Sequence, residues 1–405
     1  MEQWKEYKLG EVCTELSDGL HKAPKFKMGG DYIFVNAKNI VGGFIVDNDP
    51  TKKSTHEEYL KYASPLNDTT ILYSIDGTIG KVALYRGEKC ILGKGACYMN
   101  PNPQVLDRMF LYYELQSPRF KLYIDKMSTG STIKHISLKT MREYNFTFPS
   151  LETQRQISSI LKSLDNKIEV NRRINDNLEK QAQALFKSWF VDFEPFKDGY
   201  FEESELGMIP KGWKAGSLED ITTQKSERVG DRDDVKVLSP VTTGQLMLSE
   251  EFFTKQVFSE SIAKYKVVEI GDFAYNPARV NIGSLGRNNY GFDGCVSPVY
   301  VVFSCKDGYA HLFDLYRKTQ KFKTEVNLRA IGGVRQSLNY KDFAFIQCII
   351  PPLHVVEKFN AIYDHLLVMQ KHTEEENDRL ASLRDSLLPR LMSGELKVNE
   401  IENVI

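Results

Sequence analysis

The longest regular pattern of apolar positions along the chain lies in residues 152–190. Counted in alternating steps of four and three, the positions from Ile157 to Trp189 are apolar except for Asn171 and Asn175, and no Gly or Pro interrupts the run. This spacing is typical of a coiled-coil seam and predicts a helix from Glu152 to Phe190. Such a helix would be about 58 Å long, which is more than the core of a small domain requires.

The second feature is an internal repeat. Residues 129–157 align without a gap on residues 331–359, so that glycine, lysine and proline positions coincide. The same offset carries the apolar seam onto a second seam at positions 359–391, whose polar centre is Thr373 and Asn377. The chain therefore consists of two copies of one unit, each a globular part followed by a long helix.

The globular parts contain short apolar runs broken by Gly and Asn, such as "TTILYSIDGTIGKVALY" and "SPVYVVF", which predict strands joined by turns. Short helical patterns lie between them. The predicted fold class is α+β, with two α/β domains in tandem repeat, separated by two long helices that form an antiparallel coiled coil. The predicted limits are 1–150 and 201–350 for the domains and 151–200 and 351–405 for the helical regions.

The polar centres of the two seams have a physical interpretation. In an antiparallel pair, Asn171 would face Asn377 and Asn175 would face Thr373. A polar residue inside a seam lowers stability, but it penalises every shifted pairing more, because a shift buries it against an apolar side chain. These four residues are therefore predicted to fix the register. The alternative is that the asparagines lie off the seam and face water. Two mismatched pairs elsewhere in the seam are consistent with this alternative.

Composition and charge limit the class of protein. The chain has 405 residues, 41% of them hydrophobic, which is enough for folded cores. The formal net charge is −1, from 53 basic and 54 acidic side chains, which argues against a general polyanion binder but does not exclude local basic patches. The sequence lacks a signal-peptide pattern and a membrane-length apolar run, so we expect a cytoplasmic protein. Six scattered cysteines without a CxxC pair indicate neither a zinc site nor a disulfide framework.

A search for catalytic motifs is negative. "NPAR" at 276–279 begins like the catalytic motif of adenine methyltransferases but lacks its second proline and its aromatic residue. "GTIGKV" at 77–82 has the glycines and lysine of a phosphate-binding loop at the wrong spacing. Neither a nucleophile elbow nor a metalloprotease motif occurs. The sequence therefore predicts a chain without a catalytic or metal site.

A family resemblance becomes clear in the helical regions. The stretch "SLETQRQISSILKSLDNKIEVNRRINDNLEKQAQALFKSWFVDFEPF" and the later "LASLRDSLLPRLMSGEL" resemble the conserved helical regions of the specificity subunits of type I restriction–modification systems. The globular parts match the target-recognition domains of that family in outline, through "ILYSIDGTIGKVALY" and "GSTIKHI".

The resemblance implies a non-catalytic subunit that binds double-stranded DNA at a bipartite site. It implies two DNA adenine methyltransferase subunits and two restriction subunits as partners. S-adenosylmethionine, ATP and Mg²⁺ would be bound by those partners, and none by this chain. Because the two domains differ in sequence, the target would be asymmetric.

Candidate DNA contacts are basic, amide and hydroxyl residues in the loops of both domains, since such groups bind phosphates and base edges. They are Lys22, Lys25, Lys27, Ser74, Thr78, Lys81, Lys134, His135 and Lys139 in the first domain, and Arg228, Asn276, Arg279, Asn281, Arg287, Asn288, Arg329, Arg335, Gln336 and Lys341 in the second. For each of them the alternative is an ordinary solvated surface residue.

Candidate docking residues for the methyltransferase subunits are apolar residues of the first helical region outside the seam. They are Ile160, Ile174, Phe186, Phe190, Phe193 and Phe196. The alternative is that these side chains pack on the recognition domains.

Two other functions compete with this interpretation. A fused methyltransferase or nuclease would require a cofactor loop or an acidic metal cluster, which the sequence lacks. A repeat-built scaffold would bind protein partners rather than DNA, and DNA-binding measurements would distinguish it.

Overall fold

The structure is a computed structural model that describes residues 4–130, 134–252, 259, 261–330 and 337–403. The chain divides into two compact units. The first consists of Met1–Arg172 and Glu374–Ile405, and the second of Arg173–Thr373. This division runs through both long helices, so it leaves the domain limits predicted from the sequence untested.

The strands of the first unit form two main sheets. The strands are β1 (Lys5–Lys8), β2 (Cys13–Asp18), β3 (Tyr32–Val35), β4 (Ile40–Val41), β5 (Phe44–Ile45), β6 (Lys53–Ser54), β7 (Ile71–Ser74), β8 (Val82–Leu84), β9 (Cys90–Leu92), β10 (Ala96–Pro101) and β11 (Asn145–Phe148). One sheet has the order β2-β10-β7-β8 and the other β6-β3-β9, while β1 pairs with β11 and β4 with β5. The pairing of β3 with β9 is parallel.

Helices cover these sheets. They are α1 (Leu9–Val12), α2 (His56–Tyr62), α3 (Arg108–Glu114), α4 (Pro118–Met127), α5 (Leu138–Arg142) and the long α6 (Leu151–Phe190). Local sequence explains where they begin. Asp107 and Ser117 accept hydrogen bonds from the first turns of α3 and α4, and Pro118 occupies the first position of α4, where no backbone donor is needed.

The second unit repeats this design. Its strands are β12 (Phe201–Ser204), β13 (Gly207–Pro210), β14 (Lys214–Ser217), β15 (Thr222–Lys225), β16 (Lys236–Pro240), β17 (Leu246–Leu248), β18 (Lys266–Val268), β19 (Phe273–Tyr275), β20 (Leu285–Arg287), β21 (Gly294–Val296), β22 (Val301–Cys305) and β23 (Gln347–Ile350). Its helices are α7 (Leu218–Ile221), α8 (Ser249–Phe252), α9 (Ala310–Tyr316), α10 (Gln320–Arg329), α11 (Tyr340–Ala344) and the long α12 (Leu353–Ser393).

The sheet topology confirms the internal repeat. The order β15-β22-β19-β20 in the second unit matches β2-β10-β7-β8 in the first, and the pair β14-β23 matches β1-β11. β16 pairs in parallel with β21, as β3 does with β9. An additional antiparallel hairpin, β12-β13, lies in the segment that connects the two copies.

The core of the first unit joins its sheets to both long helices. Ile157 and Leu161 of α6 and Leu387 and Leu391 of α12 are buried in one cluster with the aromatic side chains of the domain, among them Phe110. In the second unit, Phe186 and Phe190 of α6 pack with Phe359 and Tyr363 of α12 around Trp213. The predicted fold class is confirmed: two α/β domains in tandem repeat, with two long helices that form an antiparallel coiled coil.

None of the helices in the described part of the chain is long and apolar enough to cross a membrane.

Candidate nucleic-acid interface

Three segments of the first unit meet where β7, β9 and β3 approach their ends. They are the β7–β8 loop (75–81), the β9–β10 turn (93–95) and residues 134–136, and we call them the first loop cluster. Backbone hydrogen bonds hold them together: Ile75 N donates to Gly95 O (3.1 Å) and Ile136 N donates to Ile75 O (2.9 Å). Gly77 and Gly80 have φ of 73° and 97°, values that favour glycine, which explains two of the glycines in "IDGTIGK".

Several predicted contact residues lie on this cluster. Thr78 and Lys134 are exposed, and Lys81 and His135 are half-buried. Lys134 Nζ lies 3.8 Å from Asp125, a surface ion pair that contributes little to stability and leaves the ammonium accessible. His135 Nδ1 is buried without a hydrogen-bond partner.

Lys22 lies beside the same cluster. It follows Leu20, whose backbone bonds to both sides of the β9–β10 turn: Leu20 N donates to Leu92 O (2.7 Å) and Lys94 N donates to Leu20 O (2.8 Å). The structure therefore brings together Lys22, Thr78, Lys81, Lys134 and His135, which are up to 113 residues apart in sequence.

Lys94 was not predicted from the sequence. It is exposed, and it lies between Gly93 and Gly95, which are both buried. A lysine between two glycines directly before a fully buried strand was the available signal, because such glycines indicate close backbone approach.

Four predicted residues of the first domain lie elsewhere or are engaged. Ser74 is buried and its Oγ accepts a hydrogen bond from Lys81 N (2.8 Å), so it closes the base of the β7–β8 loop. Lys25 and Lys27 lie before β3, at the opposite end of that strand from the cluster, where Lys25 N donates to the Glu58 carboxylate (3.0 Å). Lys139 is exposed on α5, which follows the cluster along the chain.

The second unit has an equivalent arrangement, which we call the second loop cluster. It consists of the β19–β20 loop (276–284), the β21–β22 turn (297–300) and residues 337–339. Leu338 N donates to Pro277 O (3.1 Å), which places the last segment against the first. Asn276 Oδ1 accepts from Ala278 N (3.0 Å), and this side-chain turn shapes the start of the "NPAR" loop.

Predicted contacts also gather here. Arg279 is exposed, and Asn276 and Asn281 are half-buried in the same loop. Arg329 ends α10, which packs against residues 280–282, and it forms an ion pair with Glu325 (3.4 Å). Lys341 is exposed on α11, directly after the cluster.

Arg228 lies at the same end of the sheet. It bridges to Lys266, whose Nζ donates to Tyr300 O (2.6 Å) in the β21–β22 turn. Burial and the neighbouring Arg228 lower the pKa of Lys266. Arg335 and Gln336 lie outside the described residues.

Arg287 and Asn288 lie at the other end of the β19–β20 hairpin, so the structure does not place them with the other candidates. Arg287 pairs with Phe273 across the strands, and its guanidinium contacts His311 Nδ1 (3.1 Å). Asn288 is buried and donates to Val268 O (2.9 Å) and Phe292 O (3.1 Å). Both side chains bond within their own domain, at the end of the hairpin away from the β19–β20 loop.

The apolar residues predicted to dock partners are mostly covered within their own unit. Phe186 and Phe190 are buried, with the Phe190 ring 6.0 Å from Trp213 and 4.8 Å from Phe359. Phe193 and Phe196 also pack on Trp213. These four rings therefore pack on their own domain, the alternative that the sequence left open.

Two docking candidates remain. Ile160 is half-buried against the core of the first unit. Ile174 is 37% exposed on α6.

The polar centre of the helices has defined partners. Asn171 is fully buried and its Nδ2 donates to Glu376 Oε2 (2.7 Å). Thr373 Oγ1 donates to Asn175 Oδ1, so these two side chains meet. The Oδ1 atoms of Asn171 and Asn377 are buried without a hydrogen-bond partner. Asn171 thus lies inside the helix pair rather than facing water, and its role in register stays a prediction.

The described residues contain no group of three or more His, Cys, Asp or Glu side chains that could hold a metal ion. Burial raises the pKa of the Cys13, Cys90 and Cys348 thiols to about 12, so they are protonated at neutral pH and poor nucleophiles.

Comparisons with known proteins agree with this architecture. Residues 1–180 match the family model of the type I restriction modification DNA specificity domain. The chain is 26% identical to the MjaIX specificity subunit of Methanocaldococcus jannaschii, over 98% of this chain and 94% of that protein. It is 23% identical to the HindI specificity subunit of Haemophilus influenzae, over 98% of this chain and 100% of that protein.

A solved structure shares the fold. The S subunit of the type I restriction–modification system of M. genitalium matches with a TM-score of 0.56 and 17% identity, over 96% of both chains. Fold, repeat and helices define a protein with two tandem α/β domains and two long helices. In sequence and fold the chain is similar to the specificity subunits of type I restriction–modification systems.

Proposed function

We propose that the chain is the sequence-specific DNA-binding subunit of a type I restriction–modification complex and reads an asymmetric bipartite target. The observation that carries this proposal is the occurrence of two equivalent loop clusters, one in each unit, with exposed cationic side chains such as Lys134 and Arg279. Cations bind phosphates, and amide, hydroxyl or guanidinium groups read base edges in the major groove.

The differences between the clusters support an asymmetric target. The first cluster presents lysines and Thr78, whereas the second presents arginine and asparagine side chains in a longer loop. Because each base pair has a distinct pattern of donors and acceptors in the major groove, different side chains at equivalent places select different bases. Each unit would therefore read its own half-site.

The proposed partners follow from the similarity to specificity subunits. Two adenine methyltransferase subunits and two restriction subunits would assemble with this chain and would bind S-adenosylmethionine, ATP and Mg²⁺. The chain itself would be non-catalytic. Ile174 is the docking candidate on the helices that is exposed enough to contact such a partner.

The test is the binding of the purified chain, with and without its methyltransferase partner, to a library of random duplexes at several salt concentrations. We expect enrichment of one bipartite sequence and a fall in affinity with rising salt, because phosphate contacts release counterions. Enrichment of no sequence by the assembled complex would contradict the proposal. Methylation of DNA by the chain alone, with S-adenosylmethionine, would contradict its non-catalytic role.

A matched pair of variants tests the location. Lys134→Ala and Arg279→Ala should each weaken binding, whereas Lys25→Ala, an exposed lysine outside the clusters, should not. Equal effects of Lys25→Ala and Lys134→Ala would place the interface elsewhere.

A further inference from the structure

The turns that precede the central strands β10 and β22 are equivalent in the two units, but they present different chemistry. Ser74 pairs with Ala96 at the end of β7, and Tyr275 pairs with Val301 at the end of β19. The residues just before Ala96 and Val301 therefore occupy the same place in the two loop clusters. Lys94 occupies that place in the first unit and Val299 in the second.

The backbone around Lys94 is held from three sides. Gly93 N donates to Val35 O (2.8 Å), Lys94 N donates to Leu20 O (2.8 Å), and Gly95 O accepts from Ile75 N (3.1 Å). A Cβ atom on Gly93 would lie 2.4 Å from Asn36 Oδ1, so the turn is also closely packed. Only the Lys94 side chain leaves this turn, and a rigid support reduces the entropy lost when a side chain binds a ligand.

The turn around Val299 is also anchored. Tyr300 N donates to Ser297 O (2.9 Å), and Tyr300 O accepts from Lys266 Nζ (2.6 Å). Val299 is 71% exposed between buried strands, and Ile282 in the β19–β20 loop of the same cluster is 57% exposed. The second cluster therefore presents apolar tips where the first presents a cation.

We propose that this turn is a base-reading position in each domain, where Lys94 binds guanine in one half-site and Val299 contacts the methyl group of thymine in the other. The inference rests on the proposed function. Guanine offers two acceptors, N7 and O6, in the major groove, and thymine alone among the four bases carries a methyl group there. A lysine and an exposed valine match these two features.

The test maps methylated adenines in cells that carry the complete system with the wild-type chain, Lys94→Val or Val299→Lys. We expect each variant to change the recognised base at one position of one half-site, with the preference for the original base reduced roughly 10-fold or more. The other half-site should stay unchanged.

Matched controls lie at the opposite ends of the same sheets. Lys89 precedes β9 and is exposed, and Ile270 precedes β19 and is 60% exposed. Lys89→Val and Ile270→Lys should leave the methylated motif unchanged. If Lys94→Val or Val299→Lys does not accumulate, Lys94→Arg should keep guanine at its position and Val299→Ala should relax the preference for thymine.

The outcomes separate this inference from the proposed function. A wild-type system without any recurrent methylated motif would contradict the proposed function itself. A clear wild-type motif that stays the same in the variants would overturn only the base-reading role. The base-reading role would also be overturned if Lys94→Val bound all DNA sequences more weakly, with a salt dependence reduced by about one phosphate contact. That result would make Lys94 a phosphate ligand.

Discussion

The polar centre of the helix pair in the first unit gives the sharpest stability prediction. Asn171 is fully buried, and its Oδ1 and that of Asn377 lack hydrogen-bond partners. An unsatisfied buried acceptor costs about 1–3 kcal/mol. We therefore expect the double variant Asn171→Leu, Asn377→Leu to unfold at a higher urea concentration than the wild type.

The magnitude follows from four contributions. Removing two unsatisfied oxygens contributes about 4 kcal/mol, and the hydrogen bond from Asn171 to Glu376 (2.7 Å), which is lost, about 2 kcal/mol in the opposite direction. Burying additional methyl groups contributes about 2 kcal/mol, and crowding around the larger side chains costs about 2 kcal/mol. Glu376 keeps Lys167 at 3.2 Å, so its carboxylate stays paired. The expected net stabilisation is about 2 kcal/mol.

The measurement is urea unfolding of the full chain, followed by its helical circular dichroism signal. Asn166→Leu is the control, since Asn166 is exposed on the same helix and its replacement should change the free energy of unfolding by less than about 0.5 kcal/mol. A double variant that is less stable than the wild type would refute the reasoning, because it would mean that the unsatisfied oxygens cost less than the lost hydrogen bond and the crowding together.

Three further predictions concern other described residues. Phe190→Ala should lower the free energy of unfolding by about 3–5 kcal/mol, because the ring fills the core beside Trp213. Ile174→Ala should leave stability unchanged and weaken co-purification of the methyltransferase. The reverse pattern would make Phe190 a docking residue. Burial and Arg287 lower the pKa of His311, so its neutral form contributes its full stability to the second unit above the unfolded pKa of about 6.5, and this contribution decreases as the pH falls below that value. His311→Gln should remove this part of the acid sensitivity in thermal melts. An unchanged pH profile would argue against this role of His311. Glu114 is buried and accepts a hydrogen bond from Arg119 Nη2 (2.7 Å), so Glu114→Ala should lower the free energy of unfolding in urea by about 2–3 kcal/mol; this value is reduced because Arg119 is partly exposed. An unchanged free energy of unfolding would mean that the pair does not stabilise the fold.

The elements that sequence periodicity predicted are those whose pattern is local and long. Ten seam positions at heptad spacing indicated the helix that spans Leu151–Phe190, and its repeat indicated α12. The aligned glycines and prolines indicated two copies of one domain, because identical turn and strand ends require the same residue types. No tertiary information was needed for these conclusions, since helix period and turn chemistry depend on neighbours within a few residues.

Only the folded chain decided which side chains share a surface. Residues 75–81, 93–95 and 134–136 meet because β7 and β10 pair antiparallel and residue 136 bonds back to residue 75, contacts between distant segments that no local pattern contains. The pairing of β7 with β10 put Lys94 at a loop tip, and the pairing of β19 with β20 put Arg287 and Asn288 at the far end of their hairpin. The phenylalanines at the end of α6 were equally ambiguous, because the sequence does not show which surface an apolar side chain will pack against. In the structure they pack with Trp213.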